Sequence, residues 1–223
     1  MPPIPDAARG LLECLQMMNM KKIPFLACLA SLLWVGCSDT PPTAAKKEPE
    51  KPAEAISGQS ALFKMYQKAR TWSTDAMVLK LNSMHLADVP SAAGKAGAWQ
   101  ATFTSANLGK MQTYTFSVVE EEGNLHQGVF SLGEQAWSGS QGVDTAFDYR
   151  AASIDSPAAY KTADEKAADY DQKHPGMPIS FQLEKIKQFS NPVWRVIWGE
   201  SAGTSSFSIY VDASMGNFLE KMH

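Results

Sequence analysis

The residues able to do chemistry are few and scattered. The chain holds three cysteines, Cys14, Cys28 and Cys37, and four histidines, His85, His126, His174 and His223. A zinc site wants such ligands a few residues apart on one element. No two histidines have that spacing, and none neighbours a cysteine. No nucleophile elbow, glycine-rich phosphate loop or His-Glu-x-x-His pair is read in the sequence. Carboxylates do cluster. Asp164, Glu165, Asp169 and Asp171 interleave with Lys161, Lys166 and Lys173, which suits a solvated helix face with i,i+4 ion pairs. Glu120, Glu121 and Glu122 suit a charged hairpin tip. Asp212, Ser214 and Asn217 offer too few oxygens for calcium, whereas Asp212 and Gly216 suit a turn. No catalytic residue, metal site or cofactor is expected, and the chain is read as a non-enzyme.

The remaining reactive group is the Cys37 thiol, and its position follows from the stretch before it. Lys21-Lys22 is a positive flank, and residues 23–35 form an apolar span broken only by Pro24 and Ser31. Crossing a bilayer takes about 20 apolar residues. This shorter span has the length of a signal-peptide core. Gly36, a small residue, immediately precedes Cys37.

The block Leu33-Trp34-Val35-Gly36-Cys37 resembles the lipobox of bacterial lipoproteins, with leucine one place earlier than usual. The resemblance implies a Cys37 that is lipidated, with acyl chains such as palmitate, and that becomes the mature N-terminus. It implies a membrane-anchored protein of the cell envelope facing the periplasm. Ser38, where an aspartate tends to retain such proteins at the inner membrane, favours the outer membrane. Residues 1–17 are read as a start-site extension, 18–36 as the signal peptide and 37–58 as a disordered tether rich in Pro, Ala, Lys and Glu. Cys14 and Cys28 fall in the removed part, so no disulfide can staple the body. Three of the 20 basic and two of the 23 acidic residues precede Cys37, leaving a mature charge of −4. That balance excludes the basic footprint of a nucleic-acid binder.

The body reads as helix then strands, twice. In residues 59–132, Ala61, Leu62, Met65, Ala69 and Trp72 mark one helix face. Strands then follow over 76–86, with Met77, Leu79 and Leu81 on one side, and over 98–104, 111–120 and 125–132. Residues 133–152 read as a long connection. In 153–223, Ser156 is the expected cap of a helix with Pro157 first, and Ala159, Ala163, Ala167 and Tyr170 are its buried stripe. Strands follow around Ile179, Trp194, Ile209 and Phe218. Trp99 falls opposite Trp194 when the halves are aligned. The expected fold class is α+β, with two repeated units, each a helix on a curved antiparallel sheet of PepSY or cystatin type.

Val193-Trp194-Arg195-Val196 and the later Val211-Asp212-Ala213-Ser214-Met215-Gly216 turn resemble the end of a PepSY-like domain. The family implies a small helix-on-sheet fold and envelope roles such as protease restraint or partner binding. Trp137, in a glycine-containing stretch without an obvious packing neighbour, is the candidate partner-binding residue. The expected partner is an envelope protein or peptide. The alternative is a small-ligand carrier with a cavity between helix and sheet.

Overall fold

A computed structural model of the chain describes residues 52–123, 125–139 and 145–223. The expected signal peptide, Cys37 and the tether up to residue 51 lie outside those residues. The described chain opens with β1, Ile56–Ser57, which runs straight into α1, Gly58–Trp72. Ser57 caps α1 by accepting from the Ser60 N–H at 3.4 Å. Ala61, Leu62, Met65 and Ala69 recur every three to four residues, so one face of the helix is buried. The strands β2 (Met77–Met84), β3 (Lys95–Ala96), β4 (Ala98–Ser105), β5 (Lys110–Ser117) and β6 (Gly128–Ala136) come next. Then follow α2 (Ser156–Lys173), β7 (Ile179–Glu184), β8 (Val193–Trp198), β9 (Phe207–Asp212) and β10 (Phe218–Met222).

The two separate helix-on-sheet units expected from the sequence do not form. The chain is mostly β, and eight strands make one antiparallel sheet in the order β10-β9-β8-β7-β2-β4-β5-β6. Beside it, β1 and β3 form a two-stranded sheet. The physical reason lies in the middle of that order. Each half, closed on itself, would leave β2 or β7 as a bare edge, and bare edges invite unwanted pairing. Pairing β2 with β7, with Leu81 opposite Leu183, removes both edges. The buried residues of both helices also belong to one core, with Trp99, Trp194, Leu81 and Phe181. Both helices therefore cover the same sheet face, and there is one hydrophobic interior rather than two.

Two strand readings also change. A register shift between Val78 and Lys80 breaks the alternation of β2, so Val78 and Leu81 are buried while Leu79 is only half-buried. The expected connection 133–152 begins later, because β6 runs on to Ala136 along an exposed edge. Phe147 then pairs with Val78 through two backbone hydrogen bonds of 2.8 Å.

The helix N-termini meet at the middle of the core. The Trp99 and Trp194 rings lie edge to face, 6.4 Å between centroids. The Trp99 indole N–H donates to the Ile56 carbonyl at 3.2 Å, and that of Trp194 to the Ile154 carbonyl at 2.7 Å. Each acceptor directly precedes a helix cap, Ser57 or Asp155. Asp155, not Ser156, caps α2, and it serves both helices. Its Oδ1 accepts the Gln59 N–H at 2.9 Å and the Ser156 N–H at 2.7 Å. Ser156 Oγ accepts the Gly58 N–H at 2.7 Å and donates to the Gly94 carbonyl at 2.6 Å. The positive poles of two helix dipoles thus share one carboxylate.

The sheet face without helices is polar at its centre. Lys80 Nζ is 3.5 Å from a Glu184 oxygen, Gln182 donates to Glu184 at 2.6 Å, and Arg195 donates to Ser208 at 2.9 Å. Small apolar clusters around Leu86 and Ile186 flank it.

Candidate functional site

Trp137 continues the β5–β6 ladder, its backbone N–H donating to the Gly109 carbonyl at 2.9 Å. It is half-buried and lines a surface cleft of about 370 Å3 beside the C-terminal half of α1. Tyr66, Arg70, Met77 and Asp148 are among the other walls. A second cleft of about 460 Å3 flanks the N-terminal half of α1, against Phe63, Tyr149 and Ser153. Arg150 borders both. Tyr149 packs on Tyr66 at 4.2 Å and on Phe63 at 6.4 Å, so aromatic rings connect the two openings. Trp137 is the one wall residue that the sequence singles out; the others carry no mark of their own. Tyr66 has helix-face periodicity like any core residue, and Tyr149 lies in a stretch without periodicity.

Two carboxylates border the Trp137 cleft. Hydroxyl donation from Ser105 and Ser73, and the Asn107 N–H, hold Asp75 down to about 2. The Arg150 guanidinium, then its backbone N–H, hold Asp148 down to about 2. The contacts are close: Ser105 to Asp75 is 2.6 Å, and Arg150 Nη2 to Asp148 is 2.7 Å. The Arg150 pKa moves up in return. Both carboxylates are therefore ionised at neutral pH. No histidine or cysteine lines either cleft. The walls of the Trp137 cleft combine aromatic rings with the charged Arg70, Asp75, Asp148 and Arg150.

The histidines lie apart. His85 is exposed. His126 Nδ1 is 2.6 Å from Glu120, with its ring against Phe130. His174 closes α2, its N–H donating to the Tyr170 carbonyl at 2.9 Å. His223 packs near Phe207. Among the described residues, no three His, Cys, Asp or Glu side chains converge as a metal site. The α2 carboxylates are not all merely solvated: Asp171 accepts the indole N–H of buried Trp198. Asp212 behaves as turn chemistry requires, accepting the Ser214 and Met215 N–H groups at 2.7 and 3.0 Å, with Gly216 at φ +79°. Glu121, Glu122 and Gly123 lie in the loop before β6, while Asn124 is outside the described residues.

One string in the sequence does match the letters of a catalytic spacing. Gly199-Glu200-Ser201-Ala202-Gly203 has the letters Gly-x-Ser-x-Gly. A nucleophile elbow joins a strand to a helix. Here the string joins β8 to β9, and the exposed Ser201 hydroxyl pairs with that of Thr204 at 2.9 Å. It is a hairpin loop. Among the described residues, no helix is long and apolar enough to cross a membrane.

No described protein family matches the chain, so the PepSY-like resemblance gains no support. No curated protein matches it in sequence either. Among solved structures, the chain is similar to a crystal structure from Clostridium difficile 630 whose protein is provisionally named a lipoprotein. Identity is 8%, the match covers 72% of this chain and 91% of that one, and the TM-score is 0.40. A likeness at that level is one of outline only.

Proposed function

We propose that this chain is a non-enzymatic lipoprotein of the cell envelope, anchored through Cys37 and facing the periplasm, whose body binds a protein or peptide partner. The observation that carries the partner reading is the contrast between interior and surface. Trp99, Trp194, Trp198, Phe103 and Phe181 are each under 2% exposed and fill the layer between helices and sheet. The alternative, a small-ligand carrier, asks for a cavity between helix and sheet, and these side chains fill that layer. Two aromatic-walled clefts lie outside that layer along α1, and a smaller one of about 200 Å3 lies beside the end of α2 against Tyr170 and Phe207. A recognition surface needs an anchor pocket near a large aromatic residue, which the Trp137 cleft supplies. Restraint of a protease is the finer role this reading accommodates.

Two experiments test it. A photo-crosslinking amino acid at position 137, in intact cells, should give a discrete adduct. That adduct should weaken with Tyr66→Ala. The same probe at Glu165 on α2 should give none. Equal labelling at both sites would refute a partner at the cleft. Metabolic labelling with a clickable fatty acid tests the anchor separately: the native chain should label and Cys37→Ser should not.

A further inference from the structure

The solvent face of α1 differs in charge from the rest of the molecule. Its exposed positions include Phe63, Lys64, Gln67, Lys68 and Arg70. Three of these are cationic and α1 contains no acidic residue, in a chain of net charge −3. The longer α2 mixes lysines with Asp164, Glu165, Asp169 and Asp171. Phe63 is 47% exposed among the α1 cations. Nearby acids are already engaged. Asp148 pairs with Arg150, and Glu134 takes both Lys110 Nζ and the Trp72 indole N–H. Lys64 Nζ lies over the Phe116 ring at 5.8 Å and Arg70 donates to the Thr74 carbonyl, contacts that leave the positive charge of both in place on this face.

The apolar face of α1 is spent on the core, so what this helix can offer a membrane is charge: a Lys or Arg close to an anionic lipid surface is drawn to it by about 1 kcal/mol. The expected tether points to the same occupant. It enters α1 directly through β1, so α1 is the element joined most closely to Cys37.

We propose that the solvent face of α1 docks on an anionic bilayer surface, with Phe63 at the headgroup boundary and Lys64, Lys68 and Arg70 against lipid phosphates. The proposal rests on the reading that Cys37 anchors the chain. Docking would hold the Trp137 cleft, beside the last turns of α1, at headgroup level, so its partner would be met at the membrane.

The test uses the processed full chain in vesicles whose headgroups carry a quencher. A fluorophore is placed on Gln67→Cys in α1 or, as control, on Glu165→Cys in α2; both positions are exposed. On vesicles one-third phosphatidylglycerol, the α1 label should be quenched more than the α2 label. The difference should vanish on phosphatidylcholine vesicles. Each cation near an anionic surface is worth about fivefold. Reversing Lys64, Lys68 and Arg70 to Glu should therefore lower the docked-to-undocked ratio at least about a hundredfold, with the circular dichroism unchanged. Equal quenching at the two positions, or quenching indifferent to lipid charge, overturns docking. Intact mass reads acylation independently. An acylated chain without preferential quenching leaves the anchor and removes the docking. An unacylated chain whose α1 label still responds to added anionic vesicles does the reverse.

Discussion

Gly94→Ala should be among the most damaging small substitutions in the body. Gly94 has φ +83°, where a Cβ costs about 1–2 kcal/mol. A Cβ there would be 2.4 Å from Pro157 Cα and 2.6 Å from both Pro157 N and the Ser156 carbonyl oxygen. Ordinary carbon contacts begin near 3.5 Å, so the first turn of α2 or the 92–95 turn must move by about 1 Å. That movement strains the Ser156 hydroxyl, which ties Gly94 to Gly58 through bonds of 2.6 and 2.7 Å. Losing these two buried hydrogen bonds adds about 0.5–1.5 kcal/mol each. The total is about 2–5 kcal/mol, or a fall in Tm of roughly 4–20 °C for a body of this size. Urea unfolding followed by indole fluorescence suits the measurement, since Trp99 and Trp194 pack beside this junction. Ser156→Ala should cost about 1–3 kcal/mol by leaving the Gly58 N–H and Gly94 carbonyl unpaired. The double variant should cost less than both single effects added, because each breaks the same tie. A Gly94→Ala protein within about 0.5 kcal/mol of the parent, or strict additivity with Ser156→Ala, would refute the reasoning.

Three further outcomes follow from named contacts. Asp75 is held at about 2, below its ordinary 3.8, so its contribution to stability is complete above pH 4 and is lost as pH falls toward 2. Asp75→Asn should flatten that part of the acid denaturation profile, and an unchanged profile would remove Asp75 from the account. Asp171→Ala should cost about 1–3 kcal/mol in urea unfolding by orphaning the Trp198 indole N–H, whereas Glu165→Ala should stay within about 0.5 kcal/mol. Burial, then the hydrogen bond with Asp164, pushes the Tyr160 phenol up to about 12. Its neutral form therefore favours the fold up to about pH 10, and that contribution fades as pH rises toward 12. Tyr160→Phe should delete the latest tyrosinate step in an ultraviolet titration.

Local patterns in the sequence were read well where one residue type has one physical meaning. Ala61, Leu62, Met65 and Ala69 define the buried side of α1, and Ala159, Ala163 and Ala167 that of α2, as their spacing requires. The Asp212 to Gly216 turn follows from its side-chain chemistry. Trp194 and Trp198, four residues apart on β8 and so of one parity, face one interior. What alternation cannot show is which strand lies beside which. It marks Leu81 and Leu183 as buried, and is silent on their being neighbours, so the single sheet was missed. The β2 bulge shifted parity at Leu79, a displacement that leaves no compositional mark. The far end of β6 carries no strand signal in the sequence, because an exposed edge strand has no buried side to impose a pattern. The α2 cap slipped by one residue because Asp155 and Ser156 are both good caps and only the junction with α1 separates them. The Trp137 cleft assembles from segments far apart in sequence, so only the tryptophan itself stood out.

Asp155 answers for the first turns of both helices at once. Until the carboxylate has met its second set of amides, two like-signed poles face each other across unfilled space. The early and late stretches of the chain consequently have little to gain by ordering separately. The body should melt as a single event by every probe, and either stretch synthesised alone should remain a loose, protease-sensitive polymer. Two nicked chains, or two whole ones at high concentration, could complete the same junction by trading their latter stretches, which makes strand exchange between molecules the characteristic error of this architecture.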